Sequence, residues 1–174
     1  MLSSPGRVRY AAPMRLGILS DTHDHVDVMA RALELLKREG AEFFLHCGDI
    51  GSERCIDLLV GLPAAFVWGN CDWDRAPLSR YAVDVGVGCH GTFGDLSFAN
   101  KRVALIHGDI GPLKRRVLTE QQHAYVLQGH THVRDDTRFG QTRLINPGAL
   151  SRAAVKTVAI LDVTLDQLTF FQVD

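Results

Sequence analysis

Five short apolar runs of this chain each end in an aspartate, an asparagine or a histidine, and a glycine lies beside four of these ends. The sequences are LGILS-DTH, FFLHC-GD, FVW-GN, VALI-HGD and YVLQ-GHTH. Runs of this length and composition are typical of buried strands. Glycine allows tight turns and the close approach of a ligand, and ligands of α/β proteins bind at the carboxyl ends of strands. The pattern therefore predicts one ligand site built from five strand ends.

The remaining pattern predicts an α/β fold with two packed mixed β-sheets flanked by helices. The first half alternates apolar runs with helical patterns, which indicates a parallel sheet. Its strands are expected at 15–20, 41–47 and 64–68, and its helices at 25–40 and, capped by Ser52, at 53–62. The second half contains paired apolar runs, which indicate antiparallel strands. Their turns are expected near Asn100, Gly140 and Asp166, and a helix is expected at 112–122.

Length and composition indicate one globular domain. The chain has 174 residues, 46% of them hydrophobic and 22% charged, which is enough to bury a core without cross-links. We assign 14–174 to this single domain and 1–13 to a flexible N-terminal tail, with Met14 as an alternative start of translation. No apolar run approaches the roughly 20 residues of a membrane-spanning helix. A net charge of −1 gives no general attraction to nucleic acid, and without a secretory signal the cytoplasm is the expected location.

The cysteines do not indicate a disulfide framework. Four are present and no C-x-x-C pair occurs among them, the positions being Cys47, Cys55, Cys71 and Cys89. A reducing compartment and a domain of this size argue against cross-links. We expect Cys47 and Cys55 to be small buried residues.

The strand ends carry the donor set of a metal site. They contain two aspartates, one asparagine and four histidines, namely Asp21, His23, Asp49, Asn70, His107, His130 and His132. Mixed imidazole and carboxylate ligands suit divalent transition metals, and the number of donors is sufficient for two ions. Asp21 and His23 are two positions apart, as are His130 and His132, so on an extended chain both members of each pair would point the same way.

The motif series D-x-H, G-D, G-N-C-D, H-G and G-H-x-H resembles that of the calcineurin-like metallophosphoesterases, from Met14 to the C-terminus. GNCD in place of GNHE is similar to the small bacterial and archaeal phosphodiesterase subgroup, which includes relatives of the retromer subunit of this fold. The resemblance implies a four-layer α/β/β/α sandwich. It also implies a dinuclear metal centre, in which a hydroxide that bridges two ions attacks phosphorus.

The resemblance further implies a role for each strand-end residue. One metal would be held by Asp21, His23 and His132, the other by Asn70, His107 and His130, and Asp49 would bridge both. The residues in contact with the reacting groups would be Asp49, Asn70, Cys71 and His130. Manganese is the expected metal, and iron, nickel, cobalt or zinc would suit the same donors.

Cys71 takes the place of a histidine that is thought to protonate the leaving group in most of the family. Near neutral pH a thiol is a poorer proton donor than an imidazolium. Cys71 would therefore assist weakly, with help from metal, water or His25, or it has no chemical role. Trp73 is a candidate pocket wall for an aryl or nucleobase group, whereas Trp68 is expected to pack in the core.

Neighbouring polar residues are expected to act indirectly or not at all. Asp72 would orient its neighbours through hydrogen bonds. His46 is expected to be packed and hydrogen-bonded, and His90 and His123 to lie on the surface.

These observations predict a metal-dependent phosphodiesterase that hydrolyses a small-molecule phosphodiester. A phosphomonoesterase with the same two metals is the alternative enzyme, and a retromer-subunit-like scaffold without turnover is the alternative of another class. The sequence names no substrate, and it leaves open whether the chain forms a homo-oligomer.

Overall fold

The computed structural model describes residues 8–9 and 15–174, which form twelve strands and four helices. The strands are β1 Val8–Arg9, β2 Arg15–Leu19, β3 Phe43–His46, β4 Ala64–Phe66, β5 Gly88–Cys89, β6 Phe93–Phe98, β7 Lys101–Ile106, β8 Tyr125–Leu127, β9 Asp135–Phe139, β10 Thr142–Asn146, β11 Thr157–Asp162 and β12 Gln167–Gln172. The helices are α1 Val26–Arg38, α2 Glu53–Asp57, α3 Arg75–Asp84 and α4 Gly111–Thr119.

The strands form two six-stranded mixed sheets. The first has the order β1-β6-β7-β8-β10-β9 and the second β12-β11-β2-β3-β4-β5. In the second sheet β2, β3, β4 and β5 run parallel, and a helix lies in each connection between them. In the first sheet β7, β8 and β10 run parallel. The carboxyl ends of β2, β3 and β4 therefore lie along one edge of their sheet, and those of β7 and β8 along one edge of the other.

Three apolar clusters fill the spaces between the layers. The central one lies between the two sheets and contains residues such as Leu45, Val67 and Leu105. A second packs α1, α2 and α3 on the outer face of one sheet, and a third packs α4 on the other. This arrangement confirms the predicted four-layer sandwich of two sheets flanked by helices.

The predicted turns of the second half are confirmed. β6 and β7 form an antiparallel hairpin whose loop residues Ala99 and Asn100 both have positive φ, as a two-residue hairpin loop with right-handed strand twist requires. The pairs β9–β10 and β11–β12 are also antiparallel. Gly40 ends α1 with φ of 83°, the usual position of a terminating glycine.

Two local predictions were wrong. The second helix spans only Glu53–Asp57. Ser52 is its N-cap residue, as expected, but its hydroxyl donates to the carboxylate of Asp24 and makes no capping hydrogen bond. His123 is buried rather than exposed, because its ring packs edge-on against Phe93 and lies beside Asp95.

The predicted tail at 1–13 and the alternative start at Met14 lie outside the described residues, except for Val8–Arg9, which pairs in parallel with β6. Among the described residues, no helix is long and apolar enough to cross a membrane.

Candidate metal centre

Most of the predicted ligands lie in loops with left-handed backbone conformation. Asp21, His23, Asp49, His130 and His132 all have φ between 45° and 70°. Such values are uncommon for residues other than glycine and often mark functional loops. The extended backbone expected at these two pairs was therefore wrong, although Asp21 and His23 still face the same cluster. The chain turns sharply after each strand, and this turn directs the side chains toward the other loops.

Three predicted ligands from two different sheets meet at one side of the site. The Nε2 atom of His132 lies 3.1 Å from a carboxylate oxygen of Asp21 and 3.4 Å from Nε2 of His23. Potential ligand atoms of all three residues lie within 4.8 Å of one another. Asp21 follows β2 and His132 follows β8, so the group joins the two sheets.

The carboxylate of Asp49 lies between this group and a second one. Its Oδ2 atom is 3.5 Å from Nε2 of His23 and 3.3 Å from Nε2 of His107. Its Oδ1 atom accepts a hydrogen bond of 2.8 Å from the backbone N–H of Cys71. Burial alone would raise the pKa of Asp49, but these hydrogen bonds and the neighbouring imidazoles lower it. The carboxylate is therefore ionised and faces both groups.

The Nδ1 atom of His107 is held by the backbone, so Nε2 is the ring nitrogen that faces the site. Its Nδ1 atom lies 2.9 Å from the backbone carbonyl of Cys47, and a carbonyl only accepts, so Nδ1 carries a hydrogen. The Nε2 atom lies 3.1 Å from Oδ1 of Asn70. Burial lowers the pKa of His107, but the carboxylate of Asp49 outweighs it, so the pKa is raised. The position therefore favours a positive charge at Nε2.

His130 is the predicted ligand with the least contact to the others. Its ring centroid is 5.1 Å from that of His107, and its backbone N–H donates to the carboxylate of Asp21. The side chain is exposed and does not belong to any of the groups of potential ligands in the described part of the chain.

The thiol of Cys71 lies at the edge of the cluster, with a potential ligand atom close to those of His23 and Asp49. Burial and the charge of Asp49 raise its pKa, and the nearby guanidinium of Arg152 opposes this rise. The thiol is therefore protonated near neutral pH. Arg152 also lowers the pKa of His23, although burial is the larger cause. No motif in the sequence predicted that Arg152 lies this close.

Several residues outside the ligand set fix the loops. The Nδ1 atom of buried His46 accepts from the backbone N–H of Gly48, so its Nε2–H donates to the hydroxyl of Thr22 at 2.8 Å. His46 therefore connects the loop after β2 to the loop after β3. Its predicted packed and hydrogen-bonded position is confirmed.

Two side chains hold the GNCD loop in place through hydrogen bonds to the backbone. The buried carboxylate of Asp72 accepts from the backbone N–H groups of Gly69 and Gly51, which is the orienting role expected for it. The guanidinium of Arg75 donates to the backbone carbonyls of Gly69 and Asp72. The sequence analysis did not predict this role of Arg75, because its contacts depend on the turn between the GNCD loop and α3.

The donor set fits divalent metal ions. Two carboxylates, imidazole nitrogens and the Asn70 amide oxygen converge from separate loops, and such a mixture suits transition metals with N and O ligands. The close approach of Nε2 of His23 to Nε2 of His132 would set two lone pairs against each other if both were neutral acceptors there. A cation between these atoms removes that conflict.

Two mixed sheets between helices, with this cluster at the carboxyl ends of five strands, define a phosphoesterase of the metallophosphoesterase sandwich class. Residues 14–166 match the calcineurin-like phosphoesterase superfamily domain. The chain belongs to this superfamily.

Comparisons of sequence and of structure with known proteins support this assignment. Phosphodiesterase MJ0936 of Methanocaldococcus jannaschii is 29% identical over 154 residues, which cover 86% of this chain and 93% of that protein. A solved archaeal phosphodiesterase matches with a TM-score of 0.85 and 25% identity, over 92% of this chain and all of that one. Vps29 of Chaetomium thermophilum, with a TM-score of 0.69 and 13% identity over 92% of this chain and 89% of that one, shares the fold alone.

Proposed function

We propose that this protein is a metal-dependent phosphodiesterase with a dinuclear centre. The observation that carries the proposal is the position of Asp49, whose Oδ2 atom faces His23 on one side and His107 on the other. One carboxylate that reaches two groups of donors suits a residue shared by two ions. The phosphodiesterase MJ0936 supports a diester as the substrate class.

The proposed ligands divide between the two sides of Asp49. Asp21, His23 and His132 would hold one ion, and Asn70, His107 and His130 the other. When bound, two divalent ions polarise the phosphoryl oxygens and lower the pKa of water so that it can attack phosphorus. Manganese is the proposed metal, with iron, nickel, cobalt and zinc as alternatives compatible with the same donors.

The other residues would orient the substrate and its leaving group. Asn70 contributes a neutral oxygen, so the site keeps more positive charge than a further carboxylate would leave. The protonated thiol of Cys71 would donate a hydrogen bond to the leaving oxygen. The guanidinium of Arg152, close to Cys71 and His23, would attract the single negative charge of a diester.

The test compares hydrolysis of bis(p-nitrophenyl) phosphate and p-nitrophenyl phosphate with each divalent metal added. We expect turnover of the diester with Mn²⁺, and a loss of at least about 100-fold in Asp49→Asn, because a shared ligand affects both ions. Bound metal is measured in the same samples. Asp84→Asn, an exposed carboxylate at the end of α3, is the matched control and should retain full activity.

Three results would contradict the proposal in different ways. Preference for the monoester would identify a phosphomonoesterase that uses the same residues. Full activity in Asp49→Asn would exclude a shared role for this carboxylate. A folded, metal-loaded protein without turnover of either ester would favour a scaffold that binds partners.

A further inference from the structure

A cavity of about 530 Å³ lies beside the candidate metal centre. Cys71 lines this cavity and also belongs to the group of potential ligand atoms with His23 and Asp49. The cavity therefore begins where the substrate phosphate would be held. Its volume is in the range of small-molecule sites, and it is large enough for a ring attached to that phosphate.

One wall of the cavity is apolar and carries an aromatic side chain. Trp73, Pro77 and Leu78 line it, from the GNCD loop and α3. The side chain of Trp73 is 85% exposed, whereas Trp68, five residues earlier, is 3% exposed and part of the core. Trp73 therefore contributes little to folding through burial, and its indole is available to stack on a ring.

The charged residues of the lining are mostly acidic. The cavity is lined by the carboxylates of Asp24, Glu53 and Asp74, against the single guanidinium of Arg54. The carboxylate of Asp24 already accepts hydrogen bonds from the backbone and hydroxyl of Ser52. An excess of carboxylates repels a second phosphate or any other anion. It favours an uncharged or cationic ring, and it can accept hydrogen bonds from amino groups on that ring.

We propose that this cavity is a subsite for an aromatic ester group of the substrate, stacked on Trp73 and without further negative charge. The inference rests on the proposed phosphodiesterase and narrows its substrate class. The substrate would be an aryl or nucleoside diester with one phosphate, and not a molecule with a chain of phosphates. The ring would lie next to the thiol of Cys71.

The experiment measures binding of phosphonates, which have no ester bond to hydrolyse. Phenylphosphonate and methylphosphonate are titrated into the Mn²⁺-loaded protein by calorimetry, with wild type, Trp73→Ala and Trp73→Phe. We expect phenylphosphonate to bind about tenfold more tightly than methylphosphonate, because stacking on an aromatic side chain has an effect of this order. Trp73→Ala should remove this preference, Trp73→Phe should keep most of it, and methylphosphonate should bind equally to all three.

Fluorescence gives a second measurement that does not depend on catalysis. Phenylphosphonate should quench the emission of exposed Trp73 and leave that of buried Trp68 unchanged. Phe139→Ala, which removes an exposed aromatic side chain from β9 on the other sheet, is the control and should change neither affinity nor quenching. A 4-carboxyphenylphosphonate, with an added negative charge, should bind more weakly than phenylphosphonate.

The outcomes separate the subsite from the proposed activity. Equal affinity for phenylphosphonate and methylphosphonate in wild type, or an unchanged preference in Trp73→Ala, would overturn the subsite even if diesters are hydrolysed. Equal affinity for the carboxylated probe would overturn the charge selection. If no diester is hydrolysed but the ring preference depends on Trp73, the subsite is upheld and the phosphodiesterase proposal is the one that fails.

Discussion

At the scale of single residues, Cys71 is the side chain that we propose faces the leaving group. Burial and Asp49 raise the pKa of this thiol, so near neutral pH it donates a hydrogen bond but is a weak acid. A leaving group such as p-nitrophenolate needs little protonation. An alkoxide needs much more, and general acid catalysis typically contributes about 100-fold or more in such reactions.

We predict that Cys71→Ala keeps its bound metal and loses less than about tenfold in kcat/KM on bis(p-nitrophenyl) phosphate, well below the contribution of a full general acid. Steady-state kinetics with metal analysis checks this. Cys71→Ser, which keeps a small hydrogen-bond donor, is the companion variant and should lie between wild type and alanine. Complete loss of turnover with both metals bound would show that the thiol has an essential role.

His46 makes the stability of the fold depend on pH. Its burial lowers the pKa to about 3, from 6.5 in the unfolded chain. The unfolded state therefore binds more protons between these values, so the stabilisation is present above pH 6.5 and is lost as the pH falls toward 3. The limiting slope for one such group is about 1.4 kcal/mol per pH unit.

We predict that the metal-free protein becomes less stable to urea as the pH is lowered from 7 to 5. In His46→Gln, which retains a donor and an acceptor, the dependence on pH should be smaller than in wild type, although other buried histidines such as His123 will still contribute. Urea denaturation at several pH values checks this. An equal pH dependence in both proteins would show that His46 is not the neutral, buried group described above.

At the scale of elements, the ends of the strands could be predicted from the sequence, whereas the conformation of the loops could not. Apolar runs that stop at Asp, Asn or His placed the predicted ligands after β2, β3, β4, β7 and β8, because burial and polarity alternate along the chain. No pattern in the sequence predicted the left-handed conformation of residues such as Asp21 and His130, since non-glycine residues adopt it rarely.

Contacts between residues far apart in the sequence could not be predicted either. Arg152 and Arg75 reach the site from positions without a motif, and only the folded chain brings them there. The same reason explains why His123 was expected on the surface, since its burial depends on strand pairing that brings Phe93 and Asp95 to it.

Gly69 lies where the loop after β4 packs directly against the loop after β3, and there is no space for a side chain at this position. A Cβ atom at Gly69 would be 2.1 Å from Oδ1 of Asp49 and 2.5 Å from its backbone nitrogen. One of the two loops would have to move, and the carboxylate would lose its position between the two groups of ligands.

We predict that Gly69→Ala lowers kcat/KM on the diester by about 100-fold or more, because displacement of a catalytic group by about 1 Å can have an effect of this size. Gly111→Ala is the matched control, since a Cβ atom there meets nothing within 4 Å and Gly111 begins α4. It should keep full activity and equal or higher stability. Metal content and thermal unfolding of both variants check this, and normal activity in Gly69→Ala would contradict the close contact of the loops.

At the scale of the whole molecule, the candidate metal centre takes its ligands from both sheets. Asp21, His23, Asp49 and Asn70 follow strands of one sheet, and His107, His130 and His132 follow strands of the other. The sheets are otherwise held together by the apolar cluster between them. Ligands that bind only the folded state stabilise it by mass action, and here the bound ions would also connect the two halves of the sandwich.

We predict that removal of the metal by a chelator lowers the melting temperature by several degrees. At a metal concentration 100 times the Kd, binding contributes about 2.7 kcal/mol, and each kcal/mol shifts the melting temperature of a domain of this size by about 2–4 °C. Asp49→Asn should show a much smaller shift on chelation, since it lacks the shared carboxylate, whereas Gly111→Ala should respond as wild type does. Calorimetry with and without Mn²⁺ checks this, and an identical melting temperature for wild type in both states would mean that the strand ends do not bind metal across the two sheets.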